Sequence, residues 1–350
     1  MTSKERFLTA LKNGIPDRVP LVDWLFSKRL FKEVLGINPD SLEGDFSVRC
    51  ARKIGHDATW IPYGGYAGTS DKAGIYVDEW GTTYKKDLSA SWPIDAPIDY
   101  PIKTPSDLKK YKLPDPTNKD RLKEHKKALA EAKGELALFG GVPGPFTTAW
   151  LMLGYPGICY WIYDHPKELQ EIFRISNDFY SEAIRRMVDV GMDAIMIAED
   201  LGFRSGLFLS PDHYRKHLFP YLGELIHFVK KLNVPVIFHC DGNINEIISD
   251  IISLGINALN PIERKASMDI VEIKEKYGKK ICLIGNLDIV NILPNGSPQD
   301  VKNHVKNLIK TVGKNGGYIV ASEHSLNHQI PLANIQAIRD AVIQYGYYST

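Results

Sequence analysis

Eight short apolar segments, each followed by a stretch with helical spacing, constrain the fold of this chain more than any other feature. They cover residues 18–24, 57–63, 135–146, 193–200, 234–241, 256–263, 280–288 and 317–324. The later segments are continuously apolar, which is typical of parallel strands that are buried on both faces. Alternating strands and helices in this number predict an α/β fold, a closed (β/α)8 barrel of the TIM type, in a single domain over residues 1–350. An open doubly wound sheet is the alternative, but no glycine-rich dinucleotide fingerprint follows the first segment.

Two regions lie outside this repeating pattern. The opening MTSKERFLTALKNG predicts a short amphipathic helix, and therefore an N-terminal helical extension of the barrel. The residues from about 64 to 130 are irregular and partly proline-rich. We expect an insertion there that caps the mouth of the barrel, with a hairpin around Asp78–Tyr84.

The composition excludes several kinds of partner. Lys and Arg total 43 and Asp and Glu total 42, so no basic surface is expected that would bind nucleic acid or an anionic membrane. No apolar run is long enough to span a bilayer, and the N-terminus lacks the apolar core of a signal peptide, so we expect a cytoplasmic protein. The cysteines, at positions 50, 159, 240 and 282, are too far apart for a disulfide framework and fit a reducing compartment. The sequence leaves open whether the chain forms a homo-oligomer.

Acidic, amide or imidazole side chains end the last five apolar segments. An α/β barrel carries its active site at the C-terminal ends of its strands, so these side chains are expected to meet at one mouth. In chain order they are Glu199 and Asp200, His239 and Asp241, Glu263, Asn286, and Glu323 and His324, and Tyr214 lies on the helical stretch after the fourth segment. The sequence therefore predicts one common active site.

His239 and Asp241 are the pair that most suggests a metal. Their spacing of two places both side chains on one face of an extended segment, and imidazole with carboxylate suits zinc as well as iron or manganese. His324 would close the site from the last strand. Cys240 is expected to point the other way, as a small buried residue. A shift of one residue would exchange Asp241 for Cys240, or His324 for Glu323, and the sequence leaves both alternatives open.

The same segments carry a family resemblance. The chain resembles the uroporphyrinogen decarboxylase superfamily, and within it the corrinoid-dependent methylcobamide methyltransferases, over nearly its whole length. The segments that carry the resemblance are SKERFLTALKNGIPDRVPLVDW, GGVPGPFTTAWLMLGYPG, GMDAIMIAEDLG, VIFHCDGN, ICLIGNLD and GGYIVASEHSLNHQIPLANI. Methyltransferases of that branch hold zinc with a His-x-Cys pair and a later cysteine. Here His239 matches the histidine, whereas Asp241 and His324 stand where the two cysteines would be.

The resemblance implies an enzyme that moves a methyl group between a small methylated donor and the cobalt of a corrinoid on a partner protein. A divalent metal, with zinc as the first choice, would act as the Lewis acid, held by His239, Asp241 and His324. Because this ligand set lacks thiolates, it favours polarising an ether or amine donor over stabilising a thiolate acceptor. The remaining residues would protonate the leaving group, complete the metal site or bind the donor: Glu199, Asp200, Glu263, Tyr214 and Asn286.

Two alternatives remain at this stage. The first is a metal-independent decarboxylase of the uroporphyrinogen decarboxylase type, which would need a basic pocket for its carboxylated substrate. Asp23 and Trp24 stand where cations would be wanted, and Arg204 is the nearest cation to the predicted strand ends. The second is a corrinoid-binding subunit without chemistry of its own.

Overall fold

The computed structural model describes residues 1–38, 42–63, 74–85 and 96–348. The strands in this part of the chain are β1 (Ala58–Pro62), β2 (Ile75–Val77), β3 (Thr83–Lys85), β4 (Ala96–Asp99), β5 (Ala137–Pro143), β6 (Ala194–Ala198), β7 (Gly202–Phe203), β8 (Gly206–Leu207), β9 (Val236–His239), β10 (Ala258–Asn260), β11 (Cys282–Leu287) and β12 (Tyr318–Ser322). The α-helices are α1 (Ser3–Leu11), α2 (Lys28–Leu35), α3 (Gly44–Lys53), α4 (Pro105–Lys110), α5 (Lys123–Ala132), α6 (Pro145–Asp164), α7 (Pro166–Val190), α8 (Pro211–His213), α9 (Phe219–Lys231), α10 (Ile248–Ser253), α11 (Ile270–Tyr277), α12 (Ile292–Asn295), α13 (Pro298–Thr311) and α14 (Leu332–Tyr345). Short 3-10 turns lie at Lys119–Leu122 and Arg264–Ala266, and a π-helical turn lies at Tyr214–Leu218.

A parallel sheet of seven strands forms the centre of the molecule, in the order β1-β5-β6-β9-β10-β11-β12. These strands correspond to the second to eighth apolar segments of the sequence. Most of their residues are buried, as expected for strands that are covered on both faces. The predicted α/β barrel-type fold is therefore confirmed.

The first apolar segment differs from the prediction, because it forms an extended connection and not a regular strand. Val22 donates its N–H to Val320 O at 3.0 Å, and Val320 donates to Pro20 O at 2.9 Å, so this segment runs beside β12. On its other side, Asp57 N donates to Leu21 O at 2.7 Å, next to β1. The segment thus occupies the gap between the two edge strands. Pro20 has no N–H to donate, and this keeps the pairing to isolated bridges.

The inside of the sheet is filled by apolar side chains, and helix α1 contributes to this filling. Phe7 of α1 stacks on Phe139 of β5, with ring centroids 5.8 Å apart. Trp24 packs edge-on against the same phenylalanine at 5.9 Å and lies 5.9 Å from the His239 ring. The predicted N-terminal helix is therefore present and is part of the inner core. Trp24 separates this core from the polar ends of the strands.

The described part of the predicted insertion contains a small antiparallel sheet, followed by α4, the 3-10 turn at Lys119–Leu122 and most of α5. Strands β2 and β3 pair with Tyr76 opposite Tyr84, which confirms the hairpin, and β4 adds a third strand. The turn packs on the barrel helices, since Thr82 Oγ1 donates to Leu151 O of α6 at 2.6 Å and Trp80 contacts Phe179 of α7. Residues 64–73 and 86–95 of the predicted insertion lie outside the described residues.

None of the helices in these described ranges has both the length and the apolar character that crossing a membrane requires.

Candidate metal-binding site

The alternation of side chains along the strands decides which polar residues reach the inside of the barrel. Inner and outer core residues alternate along β6 and β9. When this alternation continues past the strand ends, Asp200, His239 and Asp241 lie on the inner side. Glu199 and Cys240 then lie on the outer side, towards the helices.

Asp200, His239 and Asp241 form a compact cluster at the mouth. Each offers a ligand atom, and these atoms lie within 4.8 Å of one another. His239 Nε2 and His324 Nε2 are each 3.7 Å from Asp241 Oδ2. Asp241 Oδ1 is buried and has no hydrogen-bond partner among the described residues. A buried carboxylate oxygen without a partner is costly unless a cation binds it, so the donor set and this unpaired oxygen both fit a divalent metal.

The pKa values show how charge is balanced in this cluster. Burial and the neighbouring Asp241 raise the pKa of Asp200. Burial opposes ionisation of Asp241 too, but His239 and His324 lower its pKa below the usual value. Burial would lower the pKa of His239, yet Asp241 and Asp200 raise it to about 9. The carboxylates therefore favour positive charge at the Nε2 side of His239.

Glu199 takes a different position from the one that a ligand would need. Its Oε1 accepts a hydrogen bond from Phe146 N at 2.9 Å, and its Oε2 accepts one from Thr147 N at 2.7 Å, in the first turn of α6. Burial raises the pKa of Glu199 to about 8, although these two N–H groups favour the charged form. A Cβ atom on Gly144 would lie 2.4 Å from Glu199 Cδ, so the glycine-rich bend after β5 fits closely around this side chain. In the structure Glu199 fixes the start of α6.

Replacing Glu199 by alanine is expected to lower the free energy of unfolding by about 1–3 kcal/mol, because two buried N–H groups lose their acceptor. Urea unfolding of the variant measures this loss. Glu199→Gln keeps one acceptor oxygen and should lose less. A change below about 0.5 kcal/mol in the alanine variant, the range of an ordinary surface substitution, would contradict this role.

Three further predicted residues hold the loops around the cluster. Glu263 Oε2 accepts a hydrogen bond from Gly242 N at 2.9 Å, just after Asp241. Tyr214 is fully buried, and its hydroxyl donates to Leu201 O at 2.5 Å. Asn286 Nδ2 donates to Ile262 O at 3.0 Å. Glu263 and Asn286 lie near strand ends and Tyr214 in the π-helical turn, but none of the three belongs to the compact cluster.

The sequence left open whether Cys240 could take the place of Asp241 and Glu323 that of His324 at the site. Cys240 is buried in the outer core, where its Sγ accepts a hydrogen bond from Leu201 N at 3.3 Å. Glu323 Oε2 accepts one from Arg264 N at 3.0 Å. His324, in contrast, reaches Asp241. The structure therefore places Asp241 and His324, and not Cys240 and Glu323, at the cluster.

Comparison with known proteins gives the family of the chain. The family model of uroporphyrinogen decarboxylase (URO-D) matches residues 94–345. The chain belongs to this family. It is 27% identical over 225 residues to the methylcobamide:CoM methyltransferase MtbA of Methanosarcina acetivorans. The matched region covers 63% of this chain and 62% of that relative. It is 25% identical over 266 residues to the uroporphyrinogen decarboxylase of Hydrogenovibrio crunogenus, covering 71% of this chain and 72% of that relative.

A solved structure of the family's fold agrees with this assignment. A methyltransferase from Methanosarcina mazei superimposes with a TM-score of 0.77 over 99% of both chains, at 22% sequence identity. At this identity the likeness shows the fold alone. The chain spans less than two thirds of the length of the methylcobamide:CoM methyltransferase that it matches. The resemblance noted in the sequence is thus confirmed for family and fold.

Proposed function

We propose that this chain is a methyltransferase that moves a methyl group between a small methylated donor and the cobalt of a corrinoid carried by a partner protein. The observation that carries this proposal is the cluster of Asp200, His239 and Asp241 at the mouth of a URO-D family barrel. Relatives named as methylcobamide:CoM methyltransferases support methyl transfer as the reaction type. Their similarity to this chain points to the corrinoid protein as its partner.

The residues that would hold a divalent metal, zinc first, are Asp200, His239 and Asp241, with His324 beside them. Asp200 is added to the set expected from the sequence, because it belongs to the compact cluster, and His324 Nε2 lies 3.7 Å from Asp241 Oδ2. A metal bound here would supply Lewis acidity to the heteroatom that loses the methyl group. His239 and Asp241 have 15% and 30% of their side-chain surface exposed, so solvent and substrate can reach them.

The ligand atoms bear on the choice of methyl donor. Oxygen and nitrogen ligands are harder than thiolates and donate less charge to the metal, so the metal remains a stronger Lewis acid. Cys240, the one cysteine near the cluster among the described residues, points to Leu201 instead. We therefore infer that an ether or amine donor fits this site better than a thiol.

The decarboxylase reading has less support. It requires cations that bind several substrate carboxylates, whereas the cluster itself carries two carboxylates. Arg204 is exposed, and its Nε donates to Lys265 O at 3.3 Å. The site is thus better suited to a cation than to a polyanion.

An assay of methyl transfer tests the proposal. Zinc-supplied protein, cob(I)alamin in place of the corrinoid partner, and a panel of methyl phenyl ethers and methylated amines should give methylcobalamin with at least one donor. Uroporphyrinogen offered to the same preparation should release no carbon dioxide. Decarboxylation without methylcobalamin from any donor would contradict the proposal and select the decarboxylase.

A further inference from the structure

Asn260 connects three neighbouring strands directly beneath the cluster. It is fully buried at the end of β10 and is the register partner of His239 in the parallel pair β9–β10. Side chains at paired positions lie on the same face of the sheet. The Asn260 Oδ1 atom lies 2.6 Å from His239 Nδ1, and Asn260 Nδ2 donates to Ile284 O of β11 at 3.2 Å.

These two contacts fix the hydrogen positions. A backbone carbonyl can only accept, so the amide nitrogen of Asn260 must face Ile284 and its oxygen must face His239. The oxygen can only accept as well, so His239 Nδ1 must carry a hydrogen. In a neutral imidazole the lone pair is then on Nε2, which is the atom that faces Asp241.

We propose that Asn260 is a positioning residue that holds His239 in the one orientation and tautomer in which Nε2 faces Asp200 and Asp241. This inference rests on the proposed function in one respect: His239 Nε2 would be the atom that binds the metal. A hydrogen bond from the second nitrogen of a ligating histidine fixes its ring and raises its basicity. Asn260 supplies this bond from a rigid strand and not from a loop.

The second histidine of the site lacks this support. His324 Nδ1 lies 2.8 Å from Ser325 Oγ, a hydroxyl that can either donate or accept. The His324 side chain is 39% exposed, compared with 15% for His239. Of the two imidazoles, His239 is therefore the fixed one, and its orientation depends on Asn260.

Two variants and a matched control test the role of Asn260. Asn260→Ala removes the acceptor, and Asn260→Asp keeps an acceptor oxygen. Asn257→Ala is the control, because Asn257 directly precedes the same strand, three positions from Asn260, and its Oδ1 accepts a hydrogen bond from Val236 N at 2.9 Å instead of contacting His239. In the metal-free full-length protein labelled with nitrogen-15 histidine, NMR should show a slowly exchanging Nδ1–H for His239. We expect this signal to vanish in Asn260→Ala and to persist in Asn260→Asp and in the control.

Zinc binding supplies the second measurement. The zinc dissociation constant, from competition with a chelator, should rise about 10–100-fold in Asn260→Ala and change little in the other two variants. A protected Nδ1–H that survives in Asn260→Ala would overturn the inference, as would an equal loss in Asn257→Ala. If the NMR result is as expected but wild-type protein binds no zinc, the positioning role stands and the proposed metal chemistry fails.

Discussion

Asp241→Asn should weaken zinc binding by more than about 100-fold, beyond the 10–100-fold effect of losing an outer partner, and should reduce methyl transfer in proportion. Asp241 Oδ2 lies 3.7 Å from both His239 Nε2 and His324 Nε2. Its Oδ1 is the cluster's buried oxygen without a partner. An amide at this position removes the charge that would balance the metal. Chelator competition measures the affinity, and the cob(I)alamin assay measures transfer.

Asp288→Asn is the matched control for this substitution. Asp288 also follows a barrel strand, but its Oδ1 accepts hydrogen bonds from Val290 N and Asn291 N at 2.9 and 2.7 Å, outside the cluster. Its amide variant should bind zinc as the wild type does. Unchanged zinc affinity in Asp241→Asn, or equal losses in both variants, would show that the cluster does not hold the metal.

The second large effect concerns stability. Asp57→Ala is expected to lower the free energy of unfolding by about 3–5 kcal/mol, because it removes the buried carboxylate that Arg6 and Arg18 share. Arg6 keeps its bonds to Asp17, whereas Arg18 loses its acidic partner. Asp57 is fully buried before β1. It accepts hydrogen bonds from Arg6 Nη1 at 2.6 Å, Arg18 Nη1 at 3.0 Å and Leu21 N at 2.9 Å. One carboxylate thus ties α1 and the segment between β12 and β1 to the sheet.

Chemical denaturation compares this variant with Asp45→Ala. Asp45 pairs with Arg49 at 4.0 Å on the surface of α3, where both side chains are partly exposed. Exposed pairs of this kind contribute about 0–1 kcal/mol. Equal losses in the two variants, or a loss below about 1 kcal/mol for Asp57→Ala, would contradict the structural role of this ion cluster.

The sequence predicts the fold well because the repeat of strand and helix is strong. Seven of the eight apolar segments become strands of one parallel sheet. Pro220 lies in the first turn of α9, directly after a π-helical turn, so it divides one helical stretch into two. The first segment is the exception, since the apolar pattern does not show that Pro20 interrupts the pairing.

The site is harder to predict, and β6 shows why. Its residues are apolar on both faces, so the sequence gives no contrast that would separate Asp200 from Glu199. The sequence predicts both at the site, and the alternation of inner and outer side chains along β6 in the structure places Asp200 on the inner side. His239 and Asp241 were easier because their spacing of two is itself the signal.

Asn260 was missed for a different reason. Its contact with His239 depends on the register between two strands that are 21 positions apart in the chain. The sequence does carry one sign, a polar residue at position 260 inside the apolar segment 256–263. A polar side chain inside a strand that is buried on both faces must find a partner, and here that partner is the predicted ligand.

Removal and return of the metal in the wild-type protein tests the central claim most directly. Methyl transfer from an accepted donor to cob(I)alamin would be measured before chelation, after chelation, and after addition of one equivalent of zinc per chain, with bound metal followed by elemental analysis. The account predicts that transfer falls to the background rate with loss of the metal and returns with the zinc. Transfer that continues unchanged in protein shown to be free of metal would contradict it.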